Sequence, residues 1–210
     1  MKFRVLLNLS LLAGSLVIVL AETTLAQQPP VLTSNVKKSA SISITTATSN
    51  HQTEQILSSE IDHFYKVTDR LYRGGQPSDK GFEELKKLGI THIISLRSDS
   101  DDVNILDDEK LTFEHIPVSV NPFKKPKEAD VVQFLKAVTA ASKQSVFVHC
   151  RQGVDRTGLM IAAYRIVIDD WSREDAITEM NRIGSHWYYR RFESYLRKLD
   201  IEKIKKQINQ

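Results

Sequence analysis

The sequence predicts an α/β fold: a single domain in which a central, mostly parallel, twisted sheet is flanked by helices. Three observations carry this expectation. Short runs rich in β-branched and aromatic residues, such as Thr91–Leu96 and Val146–His149, read as buried strands. Segments of helical period separate them, as parallel strands require. The last run, Val146–His149, passes through a short polar loop directly into an apolar helix.

In chain order, Phe64–Val67 and Leu71–Arg73 read as two short strands joined by Thr68-Asp69-Arg70. Gly74-Gly75-Gln76-Pro77 is a turn. Ser78 and Asp79 are candidate N-caps for a helix over Gly81–Leu88, and Gly89 stops it. The strand Thr91–Leu96 follows. An acidic loop with Asp99, Asp101 and Asp102 then leads to a helix around Val103–Leu111, and Phe113–Val118 is the next strand. A basic, proline-punctuated loop, Asn121–Lys127, precedes a helix over Lys127–Ser142, whose apolar face is Val131, Phe134, Leu135 and Val138. After the strand Val146–His149 come helices at Thr157–Asp169, Arg173–Arg182 and Arg190 onward. Ile201–Gln210 reads as a fraying basic helix end.

The N-terminus has a different character. Lys2 and Arg4 precede an apolar run from Val5 to Leu20, and Thr24-Leu25-Ala26 offers small residues for a peptidase. The run is short for a membrane span, so residues 1–26 read as a signal peptide and the protein as exported, periplasmic or secreted. Membrane contact is expected only if this segment stays uncleaved. Residues 27–58, opening with Gln27-Gln28-Pro29-Pro30 and rich in Ser, Thr and Asn, read as a disordered linker. The catalytic domain is then expected over residues 59–206. A formal net charge of +3 gives no reason to expect nucleic-acid binding. The one cysteine excludes an intramolecular disulfide and leaves a free reactive thiol or an intermolecular partner as the alternatives.

That cysteine carries the functional reading. It lies in His149-Cys150-Arg151-Gln152-Gly153-Val154-Asp155-Arg156-Thr157-Gly158, between a strand and a helix. This layout places a thiol on the floor of a loop whose N–H groups converge on an anion at a helix N-terminus. Phosphate is the expected anion, bound by residues Arg151 to Arg156. A helix N-terminus and the Arg156 guanidinium both favour the thiolate of Cys150, the expected nucleophile. Arg156 offers a planar fork to two phosphate oxygens. Gly153 permits a backbone angle closed to most residues. Two supporting roles are expected: His149 bonding the loop backbone, and Thr157 donating its hydroxyl to the sulfur. Asp155 reads equally as the acid/base that protonates the leaving oxygen and as a structural partner of an arginine.

Other candidates are weaker. His63, His92, His115 and His186 show no metal-ligand spacing and read as core or surface residues, so neither a metal nor another cofactor is expected. Arg97, at a strand's C-terminal end, is a candidate support for the site. Lys124, Lys125 and Lys127 read as a solvated rim. Trp187-Tyr188-Tyr189 reads as core or as pocket lining.

The run His-Cys, five residues, Arg-Thr-Gly resembles the signature loop of the protein tyrosine phosphatase superfamily. The likeness extends to Asp69–Pro77, Leu85–Ile90, Ile93–Arg97 and Ile116-Pro117-Val118, which are similar to the compact dual-specificity and atypical bacterial enzymes. It spans about residues 62–200. The resemblance implies a cysteine-dependent phosphatase in which Cys150 is the nucleophile and Arg156 the phosphate clamp. The implied partners are a phosphorylated protein or a small phosphomonoester. Many members carry an acidic aspartate after the Ile-Pro strand, but Ser119-Val120-Asn121-Pro122-Phe123-Lys124 has no carboxylate. An aspartate directly before the loop arginine resembles the bacterial lipid-phosphatase-like branch and implies Asp155 as the acid. Val154 stands where that branch has lysine. Inositol-phosphate hydrolysis, a rhodanese-like sulfurtransferase and a non-catalytic phosphate-binding module are the alternatives.

Overall fold

The structure, a computed structural model, describes residues 53–99, 111–119, 126–186 and 190–210. The expected signal peptide, the linker up to Gln52, the helix around Val103 and the loop from Val120 to Lys125 lie outside these residues, as does Trp187–Tyr189.

Six strands form one sheet in the order β1-β2-β3-β6-β4-β5. They are β1 (Glu54–Gln55), β2 (Tyr65–Lys66), β3 (Leu71–Gly74), β4 (His92–Ser95), β5 (Thr112–His115) and β6 (Val146–His149). The first three pair antiparallel and the last four of that order pair parallel, so the sheet is mixed and mostly parallel. The central strand β6 sets Val148 between Arg73 of β3 and Ile94 of β4, and His149 between Gly74 and Ser95. Strand alternation then sorts the side chains onto the two faces. Ile93 and Phe147 join Phe64, Phe82 and Leu85 under helix α1 (Asp79–Lys87). Ile94, Val146 and Val148 join the larger core beneath helices α2 (Glu128–Ala140) and α3 (Asp155–Val167). Full burial of a side chain such as Phe147 contributes about 1.5–3 kcal/mol.

The helix ends follow from local chemistry. The Ser78 hydroxyl accepts from the Gly81 N–H at the start of α1. At its end Gly89, at φ +74°, lets its own N–H and that of Ile90 reach the carbonyls of Lys86 and Leu85. Ser172 caps α4 (Arg173–Ile183) by accepting from the Asp175 N–H. Helix α3 is buried on nearly every side, because α2, α4, α5 (Arg190–Arg197) and α6 (Ile201–Ile208) all contact it.

Three expectations change. Helix α3 begins at Asp155 rather than Thr157, so Asp155 and Arg156 occupy its first turn. The C-terminal segment is helical as expected, but it is a separate capped helix rather than a fraying helix end. Asp200 caps it by accepting from the Lys203 N–H, and Ile204 is fully buried. The fold also reaches back to Thr53, so the boundary at residue 59 falls inside the sheet: β1 pairs with β2.

Thr53 is tied down from far along the chain. Its hydroxyl and its N–H both donate to Glu179 Oε1, the N–H at 3.3 Å. The same carboxylate receives Arg165 Nε at 3.2 Å and Nη2 at 3.3 Å. Arg165 also donates to Val67 O and Asp169, and stacks 4.2 Å over the Trp171 ring. Both members of the Arg165–Glu179 pair are buried, so removing Glu179 leaves Arg165 with Asp169 in place of two carboxylates and takes the acceptor from Thr53. Glu179→Ala is expected to cost about 1.5–3 kcal/mol, the range for losing hydrogen bonds to a charged group, read from the urea midpoint of unfolding. A loss below about 1 kcal/mol contradicts this account of how the N-terminal edge is anchored.

Candidate active site

The loop between β6 and α3 lies at the C-terminal end of the parallel strands, where α/β sheets place their sites. Cys150 directly follows β6 and is buried at 3 % exposure. Its Sγ accepts a hydrogen bond from the Gly153 N–H at 3.3 Å. Gly153 has φ +73°, and a Cβ there would stand 2.4 Å from Gly74 C and from Gly75 N. Only glycine satisfies both demands. The Gly74-Gly75 turn therefore braces the loop from behind, and the Gln76 N–H adds a bond to Arg151 O at 3.1 Å.

Arg151 and Gln152 are exposed at the loop's outer edge, whereas Val154 is buried and serves as the N-cap of α3. Arg156, half-buried, donates from Nη1 to the Leu96 carbonyl at 3.3 Å. His149 is fully buried, stacked on Phe147 at 5.7 Å between ring centroids. Thr157 departs from expectation. Its Oγ1 is buried with no hydrogen-bond partner among the described residues, and the sulfur takes the Gly153 N–H instead.

Asp155 also finds an unexpected partner. Its Oδ1 accepts from the His186 N–H at 3.0 Å, and its Oδ2 lies 2.7 Å from His186 Nδ1. His186 stands in the loop after α4 and is partly exposed. The sequence reading missed it because no local spacing ties it to Asp155.

Arg97 lies at the rim. It forms a two-pronged bond to Asp99 at 2.8 Å on both arms and reaches Gln76 Oε1 at 3.1 Å. The Arg97 hydrogen bond holds the Asp99 carboxyl down at about 2, with the nearby Arg156 adding to the effect. The histidines are dispersed. His92 is buried beside Glu114, and His115 Nε2 lies 2.8 Å from Arg97 O. Among the described residues no group of three or more His, Cys, Asp or Glu could hold a metal ion.

Beneath the loop lies a second residue that sequence reasoning passed over. Arg73, fully buried on β3, donates from Nη2 to the Gly153 carbonyl at 2.7 Å. A charged residue between Tyr72 and Gly74 on a buried strand was the available signal.

The sheet order and the strand–loop–helix crossing around a buried cysteine are those of the dual-specificity and tyrosine phosphatase fold. A family model described as "DSP-PTPase phosphatase fused to NAD+ Kinase" matches residues 43–193, most of the chain, and the protein belongs to this family. Among its relatives, the dual specificity protein phosphatase TpbA of Pseudomonas aeruginosa is 28 % identical over 150 residues. That match covers 68 % of this chain and 65 % of the relative's length, just under two thirds. A protein of Mycosarcoma maydis named putative tyrosine-protein phosphatase OCA1 is 28 % identical over 144 residues, covering 66 % of this chain and 90 % of that one. The crystal structure of P. aeruginosa TpbA superposes with a TM-score of 0.66 at 25 % identity, covering 77 % of this chain and 99 % of the other. Its complex with pTyr gives a TM-score of 0.65 at 24 % identity, covering 77 % and 98 %. The catalytic core of the PP-IP phosphatase SIW14 from S. cerevisiae gives 0.62 at 21 % identity, covering 69 % and 90 %, and shares the fold.

Proposed function

We propose that the protein hydrolyses phosphomonoesters, phosphotyrosine first among them, through a phosphocysteine intermediate on Cys150. The observation that carries this reading is the Cys150–Arg156 loop. Its buried sulfur receives the Gly153 N–H, and an arginine stands in the first turn of the helix that follows. The pTyr complex of TpbA supports phosphotyrosine as the first substrate to try.

In this mechanism the backbone N–H groups of Arg151 to Arg156 and the Arg156 guanidinium hold the three non-bridging oxygens. The Cys150 thiolate attacks phosphorus, the S–P bond forms, and the bond to the leaving oxygen breaks. Asp155, steadied by His186, gives that oxygen its proton. Water then attacks phosphorus, passes a proton to the Asp155 carboxylate, and releases orthophosphate together with the thiolate. No step calls for a metal, so activity is expected to persist in EDTA. Comparing a phosphotyrosine peptide with inositol phosphates tests the substrate class. Faster hydrolysis of the peptide is the expected result, and a clear preference for inositol phosphates overturns it.

The role of Asp155 has its own test. An acid matters most when the leaving oxygen is strongly basic. Asp155→Asn is therefore expected to slow phenyl phosphate about 10²-fold or more and p-nitrophenyl phosphate much less. His186→Asn is expected to follow the same pattern more weakly. Equal losses on both substrates contradict the acid role and leave Asp155 as a structural partner of His186.

We also infer export. Lys2, Arg4, the apolar run to Leu20 and the small residues before Gln27 support a signal peptide cleaved after Ala26. The intact mass of the protein recovered outside the cytoplasm is expected to begin at Gln27, and a full-length mass in the membrane fraction points to an anchor instead.

A further inference from the structure

Two arginines, Arg73 and Arg165, are among the largest fully buried side chains. Their surroundings differ. Arg165 is bonded on every arm by Glu179, Asp169, Thr53 and Val67. Arg73 makes one hydrogen bond, to the Gly153 carbonyl, and its Nε and Nη1 are buried with no hydrogen-bond partner among the described residues. A buried cation lacking most of its bonds is unfavourable for folding alone.

Its location suggests what it does. Arg73 pairs in register with Val148 on β6, two residues before Cys150. Its Nη2 lies close beneath the first turn of α3, 3.8 Å from where a Cβ on Gly158 would stand. Gly153 is the link: its carbonyl is held by Arg73 and its N–H points at the Cys150 sulfur. Burial lowers the Arg73 guanidinium to about 10, against the pull of Glu179 and then of Cys150, so it stays protonated at neutral pH.

We propose that Arg73 is a positioning residue for Cys150: a fixed cation beneath the loop that pins Gly153 and, through the Gly153 N–H, holds the sulfur in place for attack. This rests on the reading of Cys150 as nucleophile. The other ionisable residues of the loop and its flanks are His149 on β6, Arg151 in the loop, and Asp155 and Arg156 on α3. Those around Arg73 are Glu179 on α4, Arg165 on α3 and the Tyr65 phenol on β2. Arg73 differs from Arg151 and Arg156 in being wholly enclosed, so it acts on the sulfur and not on substrate.

The chain has one cysteine, so alkylation by iodoacetamide, followed by intact mass, reports this thiol alone. The rate is measured against pH for the full chain and for Arg73→Gln and Arg73→Met. The wild-type thiol is expected to alkylate faster than free cysteine at neutral pH. Both neutral variants are expected to make alkylation roughly tenfold slower there. A fast wild-type rate that neither folded variant changes overturns the role of Arg73 and leaves the nucleophile standing. A wild-type thiol that reacts no faster than free cysteine overturns the nucleophile reading, and this inference with it. If neither variant keeps the wild-type circular dichroism spectrum, Arg73 is a folding residue and the inference also fails.

Discussion

Cys150→Ser is expected to remove turnover of p-nitrophenyl phosphate while leaving the fold intact. Serine differs from cysteine by one atom, and the site it would occupy is buried and braced by Gly74 and Gly75 through Gly153, so packing changes little. The chemistry changes greatly. A hydroxyl is far less acidic than a thiol and far less nucleophilic than a thiolate, so serine cannot take over the attack on phosphorus. The loss is expected to be on the order of 10⁴-fold or more in kcat, with the thermal midpoint held within a few degrees. A serine variant retaining a tenth of the activity removes Cys150 from the mechanism.

Arg156→Lys is expected to lower kcat/KM by about 10²–10³-fold. Arg156 spends one arm on the Leu96 carbonyl at 3.3 Å, which fixes the plane of the guanidinium, and leaves the rest of the fork for phosphate. Lysine keeps the charge but offers a point donor on a flexible stem, so it can hold the Leu96 carbonyl or the phosphate but not both in one plane. The effect is therefore expected in kcat as well as KM, because charge builds on the equatorial oxygens in the transition state. Steady-state kinetics on p-nitrophenyl phosphate reads it. A change in KM alone marks Arg156 as a binding residue only.

The parts of this fold that sequence reveals are those whose physics is local. Residues Val146 to Gly158 carry strand, loop and helix start in one contiguous run, and the cysteine, glycine and arginine of the loop need no distant partner to be recognised. The ends of α1 were equally legible, because Ser78 and Gly89 act within one turn of themselves. What was hidden depends on pairing across the chain. Strand β1 is two exposed residues that become a strand only through Tyr65 and Lys66, and Thr53 finds Glu179 far along the sequence. His186 reaches Asp155 from the loop after α4, and Arg73 reaches Gly153 from a neighbouring strand. In α6 the sequence shows helix but not its independence: Asp200 caps it, and Ile201, Ile204 and Ile208 form the apolar stripe that docks it as a separate element.

The most direct test of the central claim is to trap the intermediate. The full chain, turning over p-nitrophenyl phosphate in EDTA and reductant, is quenched rapidly in acid and its peptides are weighed. The peptide containing Cys150 is expected to gain the mass of one phosphoryl group, a gain that Cys150→Ser does not show. Turnover that leaves Cys150 unlabelled, or that labels another residue, contradicts catalysis by a phosphocysteine at this loop.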